Sequence, residues 1–133
     1  MRILTLALLM LVAATTQASS QASAAYIGSK TITGQAASWT TLTSSSFRCG
    51  HTATACPAGL VFSTVLLRNT DSADALYFQP KAGAAESTTD AIRIDAGAVL
   101  SDVDVSGLKT RSVSIYGASG GTDAQVLAWF RSN

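Results

Sequence analysis

The chain opens on an unbroken apolar run, Ile3 to Ala14, interrupted only by Thr5, and then changes to short alternating segments separated by small polar residues. Runs of four to eight residues with period-two alternation, bounded by Gly, Asn, Asp and Ser, predict β-strands rather than amphipathic helices. Thr31-Ile32-Thr33 and Ser38-Trp39-Thr40-Thr41-Leu42 read as two short strands separated by a turn at Gly34. Leu60 to Leu67 is apolar at both alternating positions, which predicts a central strand covered on both sides. Asn69 to Ser72 is rich in residues whose side chains bond their own backbone, so a hairpin into Ala75-Leu76-Tyr77-Phe78 is expected. Lys81 to Asp90 reads as a long loop, and Ile92 and Ile94 are expected to point inward. Val99, Val103 and Val105 are expected on one face of the next strand, with Asp102 and Asp104 on the other. A last hairpin is expected from Val113–Tyr116 and Gln125–Phe130 about the turn Gly117–Gly121.

These elements predict an all-β chain: a single small antiparallel β-sandwich, jelly-roll or immunoglobulin-like, of about seven or eight strands. The boundaries are 1–24 for an N-terminal apolar segment and 25–133 for the sandwich. Arg2 followed by the apolar run, then Ala22-Ser23-Ala24, has the layout of a secretory signal peptide with cleavage before Ala25, or alternatively after Ala18. The other reading is a retained apolar arm that docks on a neighbour. The run falls short of the roughly 20 apolar residues of a spanning helix, so no stable membrane span is expected.

From Ser44 to Gly59 the periodicity is lost, and a projecting loop is expected with Gly50 to Ala55 at its tip. Cys49 and Cys56, the only two cysteines, bracket that tip and are expected to form a disulfide, as suits an oxidising destination. A metal site built from Cys49, His51 and Cys56 lacks a convincing fourth ligand, and no metal or cofactor is expected. The single histidine stands beside no recognisable nucleophile motif, so no triad can be assembled and no enzyme is expected. Asp102 and Asp104 could flank a calcium ion or a sugar, but any strand with a wet face has that pattern. Trp39, Tyr77, Tyr116, Trp129 and Phe130 could make a carbohydrate platform, although aromatics at strand spacing more often form core or cross-strand pairs. The formal net charge is +1, and Lys30, Arg48, Arg68, Lys81, Arg93, Lys109, Arg111 and Arg131 are spread singly, unlike a phosphate-binding face. No nucleic-acid partner is expected.

The order VLLRNT (65–70), DALYF (74–78), IRIDAG (92–97), SIYGASGGT (114–122) and QVLAW (125–129) resembles a pattern in small β-sandwich accessory proteins of tailed bacteriophages. The resemblance implies a virion accessory protein, a capsid decoration or fibre-associated module that packs on capsid or tail neighbours as a homo-oligomer and performs no catalysis. The cysteine-bracketed loop and the leader depart from that pattern. They favour the alternative, a secreted bacterial cell-surface binding module, adhesin-like or carbohydrate-binding.

Overall fold

The computed structural model describes residues 25–50, 52–83 and 86–133. The expected leader or arm, 1–24, therefore lies outside the described residues, as does His51. The elements run β1 (Ala25–Gln35), β2 (Thr40–Thr43), a 3-10 turn (Ser44–Ser46), β3 (Arg48–Cys49), β4 (Val61–Asn69), β5 (Leu76–Gln79), β6 (Ile92–Ile94), β7 (Val99–Asp104), a second 3-10 turn (Ser106–Leu108), β8 (Ser112–Gly117) and β9 (Thr122–Arg131). Two antiparallel sheets, β3-β1-β9-β4-β7 and β2-β8-β5-β6, pack face to face. Without the two-residue β3, the orders are those of an eight-stranded jelly roll rather than an immunoglobulin sandwich.

Alternation puts one face of each sheet into a common core. From the five-stranded sheet come Ile32, Phe62, Val65, Leu67, Ala124, Val126, Ala128 and Phe130; from the other come Leu42, Leu76, Phe78, Ile94, Val113 and Ile115. Ile94 is buried as expected, and Ile92 packs half-buried against the same cluster.

The expected hairpins are corrected. β4 leads into β5, and β8 into β9, by crossing from one sheet to the other, and β1 and β2 also lie in different sheets. At the first of these crossings the fully buried Asn69 side chain does the work of a turn hydrogen-bond network. Its amide donates to the carbonyls of Asp74 (2.7 Å) and Ile94 (3.1 Å), and its carbonyl accepts the Asp71 amide (3.0 Å). Asp71 in turn accepts the amides of Ala73 and Asp74, which hold its carboxyl below the usual range. The turn chemistry was legible at Asn69 to Ser72, but its product is a bridge between layers.

Two further expectations change. In β7 a register irregularity opposite Val65 to Leu67, with Asp102 at φ 53°, reverses the alternation. Val99 therefore shares the outer face with Asp104: the two pair with Arg68 and Thr64, and Val99 is 53% exposed. β4 is an interior strand, but its outer face is only half-covered, at Thr64 and Leu66, and Arg68 is exposed.

Of the segment expected to project as a loop, the tip residues Gly50, Thr52, Ala53, Thr54 and Ala55 are exposed, whereas its flanks are threaded into one end of the core. Phe47, Cys56 and Leu60 are buried, and β3 pairs with Gly28 and Ser29 of β1. Phe47, Phe62 and Phe130 form an edge-to-face trio with ring centroids 4.7 to 5.8 Å apart. The sulfurs of Cys49 and Cys56 are bonded, and Cys56 belongs to the same cluster. This packing needs a glycine at position 28. A Cβ there would stand 2.8 Å from Phe130 Cε2, 2.8 Å from Phe47 Cβ and 3.0 Å from Cys56 Sγ.

Gly28→Ala is therefore expected to destabilise the domain by about 1–3 kcal/mol, because the main-chain-proximal Phe47 Cβ and the cross-linked Cys56 have little room to yield; urea unfolding measures it. Reduction of the Cys49–Cys56 bond removes a short-loop constraint worth about 2–3 kcal/mol. Thermal unfolding with and without dithiothreitol should show a lower midpoint in the reduced protein, with the far-ultraviolet spectrum still that of a β-protein below the transition.

Candidate functional site

The outer face of the five-stranded sheet carries three of the exposed large apolar residues, Ile27, Val99 and Leu127. β1, β9 and β4 present it in register: Ile27 lies opposite Trp129, which lies opposite Thr64, and Ser29 opposite Leu127, which lies opposite Leu66. Ile27 is 47% exposed and Leu127 38%, whereas Trp129 and Leu66 are half-buried. Ile27, Gly28, Ser29, Gly50 and Leu127 line a shallow hollow of about 310 Å³ beside the β3 hairpin. Single exposed apolar residues are ordinary on any surface, but here adjacent strands place Ile27, Leu127, Trp129 and Leu66 together on a flat sheet face.

The sequence did not single out Ile27, Leu66 or Leu127. The available signal is the apolar character of both alternating positions in β4, which predicts burial on both sides, and the same character of Leu127-Ala128-Trp129-Phe130.

The five aromatic candidates separate. Phe130 is core. Trp129 is on the outer face just described, and Trp39, Tyr116 and Tyr77 make a row across the outer face of the four-stranded sheet. Tyr77 and Tyr116 are a cross-strand pair, 6.1 Å apart and 72° between planes, and Trp39 lies 5.4 Å from Tyr116 at 46°. Rings inclined to one another in this way pack on each other's edges and offer no common plane on which a sugar could stack. Arg93 stands opposite Tyr77, and its Nε donates to Asp95 at 2.9 Å. Beside the row, the Ser114 hydroxyl, fully buried, donates to Glu86 at 2.5 Å, so the loop between β5 and β6 folds over this face.

Asp102 and Asp104 are not brought together into a ligand cage. Asp102 sits at the register shift with its left-handed backbone, while Asp104 accepts the Ser106 amide at 2.8 Å. Hydrogen bonds from the Ser106 hydroxyl and amide, with Arg131 nearby, hold the Asp104 carboxyl below the usual range. Among the described residues, no three of His, Cys, Asp and Glu are grouped as metal ligands, and no helix is long and apolar enough to cross a membrane.

The scattered cations are not all apart in space. Lys30 and Arg48, distant in sequence, line one polar cavity of about 420 Å³ with Ser29, Thr31 and Ser46.

No protein-family model matches the chain, and no curated protein matches it. Among solved structures, the chain is similar to the Cyanophage Pam1 capsid asymmetric unit, with 16% identity and a TM-score of 0.35 over 83% of this chain and 84% of that one. Likeness at that level carries no argument about activity or partners.

Proposed function

We propose that this protein is a non-enzymatic structural module that acts by packing the outer face of its five-stranded sheet on neighbouring protein subunits, and that the assembly is a virion, in which it is an accessory or decoration protein. The observation that carries this is the in-register apolar surface of Ile27, Leu127, Trp129 and Leu66 on the outer side of a sheet whose inner side already fills the core. A sheet buried on one face alone needs no large apolar residues on the other, and a patch of this kind marks a protein contact. The sequence pattern shared with small phage β-sandwich proteins gives that contact its setting. A homo-oligomer within the assembly is part of the same proposal.

A second reading has its own support. The Cys49–Cys56 bond suits an oxidising compartment, which favours a protein exported to the cell surface.

The test pairs location with surface. Particles purified from cells expressing the gene together with the genes that flank it should contain the protein, and Ile27→Asp with Leu127→Asp should reduce that association more than tenfold by quantitative mass spectrometry. Both positions are exposed, so circular dichroism and the melting midpoint of the double variant should stay close to those of the parent. Absence of the parent protein from particles, together with recovery from the medium of a chain beginning near Ala25, would assign it to the exported class. A double variant that still joins particles would move the contact to another face.

A further inference from the structure

A sheet edge is a row of unpaired main-chain donors and acceptors, and proteins ordinarily shorten, bend or cover it. Three of the four sheet edges here follow that rule. β2 has four residues and β6 three, while β7 is broken by the register shift at Asp102. The fourth is protected only at its end, by a register shift between Ile32 and Gln35 with Gly34 at φ 66°. β1 is 11 residues long, and the strand that flanks it, β3, pairs only with Gly28 and Ser29. Beyond Ser29 the chain that should continue β3 turns away as the 3-10 turn Ser44–Ser46, and among the described residues no strand pairs with β1 on this side from Lys30 to Gly34.

The direction of the free groups follows from alternation. The Ile27 carbonyl accepts the Gly50 amide across this edge at 2.9 Å, and residues two apart on a strand point the same way. The amide and carbonyl of Thr31 therefore face the open edge, and the exposed Thr33 follows at the start of the register shift between Ile32 and Gln35. Directly beside them is the cavity of about 420 Å³ lined by Ser29, Lys30, Thr31, Ser46 and Arg48. Its lining holds two cations and no carboxylate, and among the described residues the one ion pair is elsewhere, Arg93 with Asp95.

We infer that the open edge of β1 is a strand-addition site for an extended acidic segment of a partner protein, whose main chain bonds Thr31 and Thr33 and whose carboxylates meet Lys30 and Arg48. Affinity in such a site comes from main-chain bonds and specificity from the flanking side chains. The two cations here select charge. This edge runs along one margin of the sheet, and its occupation does not require the apolar face proposed above as the packing surface.

The experiment is an amide-resolved NMR titration of the full chain with a soluble peptide alternating threonine and glutamate, and with its threonine–lysine counterpart. The acidic peptide is expected to shift the Thr31 and Thr33 amides and slow their exchange with solvent, the effect weakening as salt is raised, while the lysine peptide leaves both unchanged. Lys30→Glu with Arg48→Glu should weaken the acidic peptide at least tenfold and admit the lysine peptide. If that variant does not fold, the two peptides on the parent protein decide the matter alone. The assignment is overturned by unshifted Thr31 and Thr33 amides at millimolar acidic peptide, or by equal shifts with both peptides. It is also overturned if protection of these amides grows with protein concentration and without peptide, which would give the edge to a second copy of this chain.

Discussion

Everything at one end of this jelly roll depends on how closely β1 approaches the aromatic trio. Gly28 lets the β1 backbone pass so near Phe47, Phe130 and the Cys56 sulfur that an added Cβ would stand 2.8 to 3.0 Å from them, and any larger residue forces a shift. Because β1 passes so near, Phe47 can enter the core from an irregular segment, and the Cys49–Cys56 bond can fix that segment from within the cluster. The edge-to-face contacts among Phe47, Phe62 and Phe130 then tie β4 and β9 to the same point. The strand pairing of Gly28 and Ser29 with β3, and the early departure of the chain after it, are both consequences of this local closure.

The same constraint shapes the surface. With the inner face of the five-stranded sheet filled by small and aromatic residues, Ala124, Val126, Ala128 and Phe130 on β9, the intervening positions are not needed for the core. Leu127 and Trp129 nevertheless occupy them, beside Ile27 and Leu66. The opposite sheet differs: its outer side is closed by the inclined row Trp39, Tyr116 and Tyr77 and by the loop that brings Glu86 to Ser114. One face is thus covered in part by the chain's own aromatic row, and the other leaves Ile27 and Leu127 exposed.

The strands were legible because alternation is a local property: Ile92 and Ile94, Val113 and Ile115, and Gln125 to Phe130 all declare themselves within a few residues. Their partners were not. Asn69 to Ser72 and Gly117 to Gly121 carry good turn chemistry, and a turn reads the same whether the chain returns in one sheet or crosses to the other. The deciding contact at the first crossing, Asn69 to the Ile94 carbonyl, spans 25 residues. The reversal at Val99 depended on a single residue, Asp102, with a left-handed backbone, and the burial of Phe47 and Cys56 depended on a glycine 19 and 28 positions away in sequence. The apolar outer face at Ile27 and Leu127 was hidden for a related reason. Apolar residues at both alternating positions indicate two covered faces, and sequence does not distinguish a face covered by the chain itself from one covered by another protein.

Hydroxyl-radical footprinting of the protein alone and in its assembly tests the central claim most directly, because each outer face carries one tryptophan as a reporter. Packing through the five-stranded sheet protects Trp129, with Ile27 and Leu127, from oxidation in the assembly while Trp39 stays as reactive as in the free protein. Protection of Trp39 with Trp129 unchanged would contradict it.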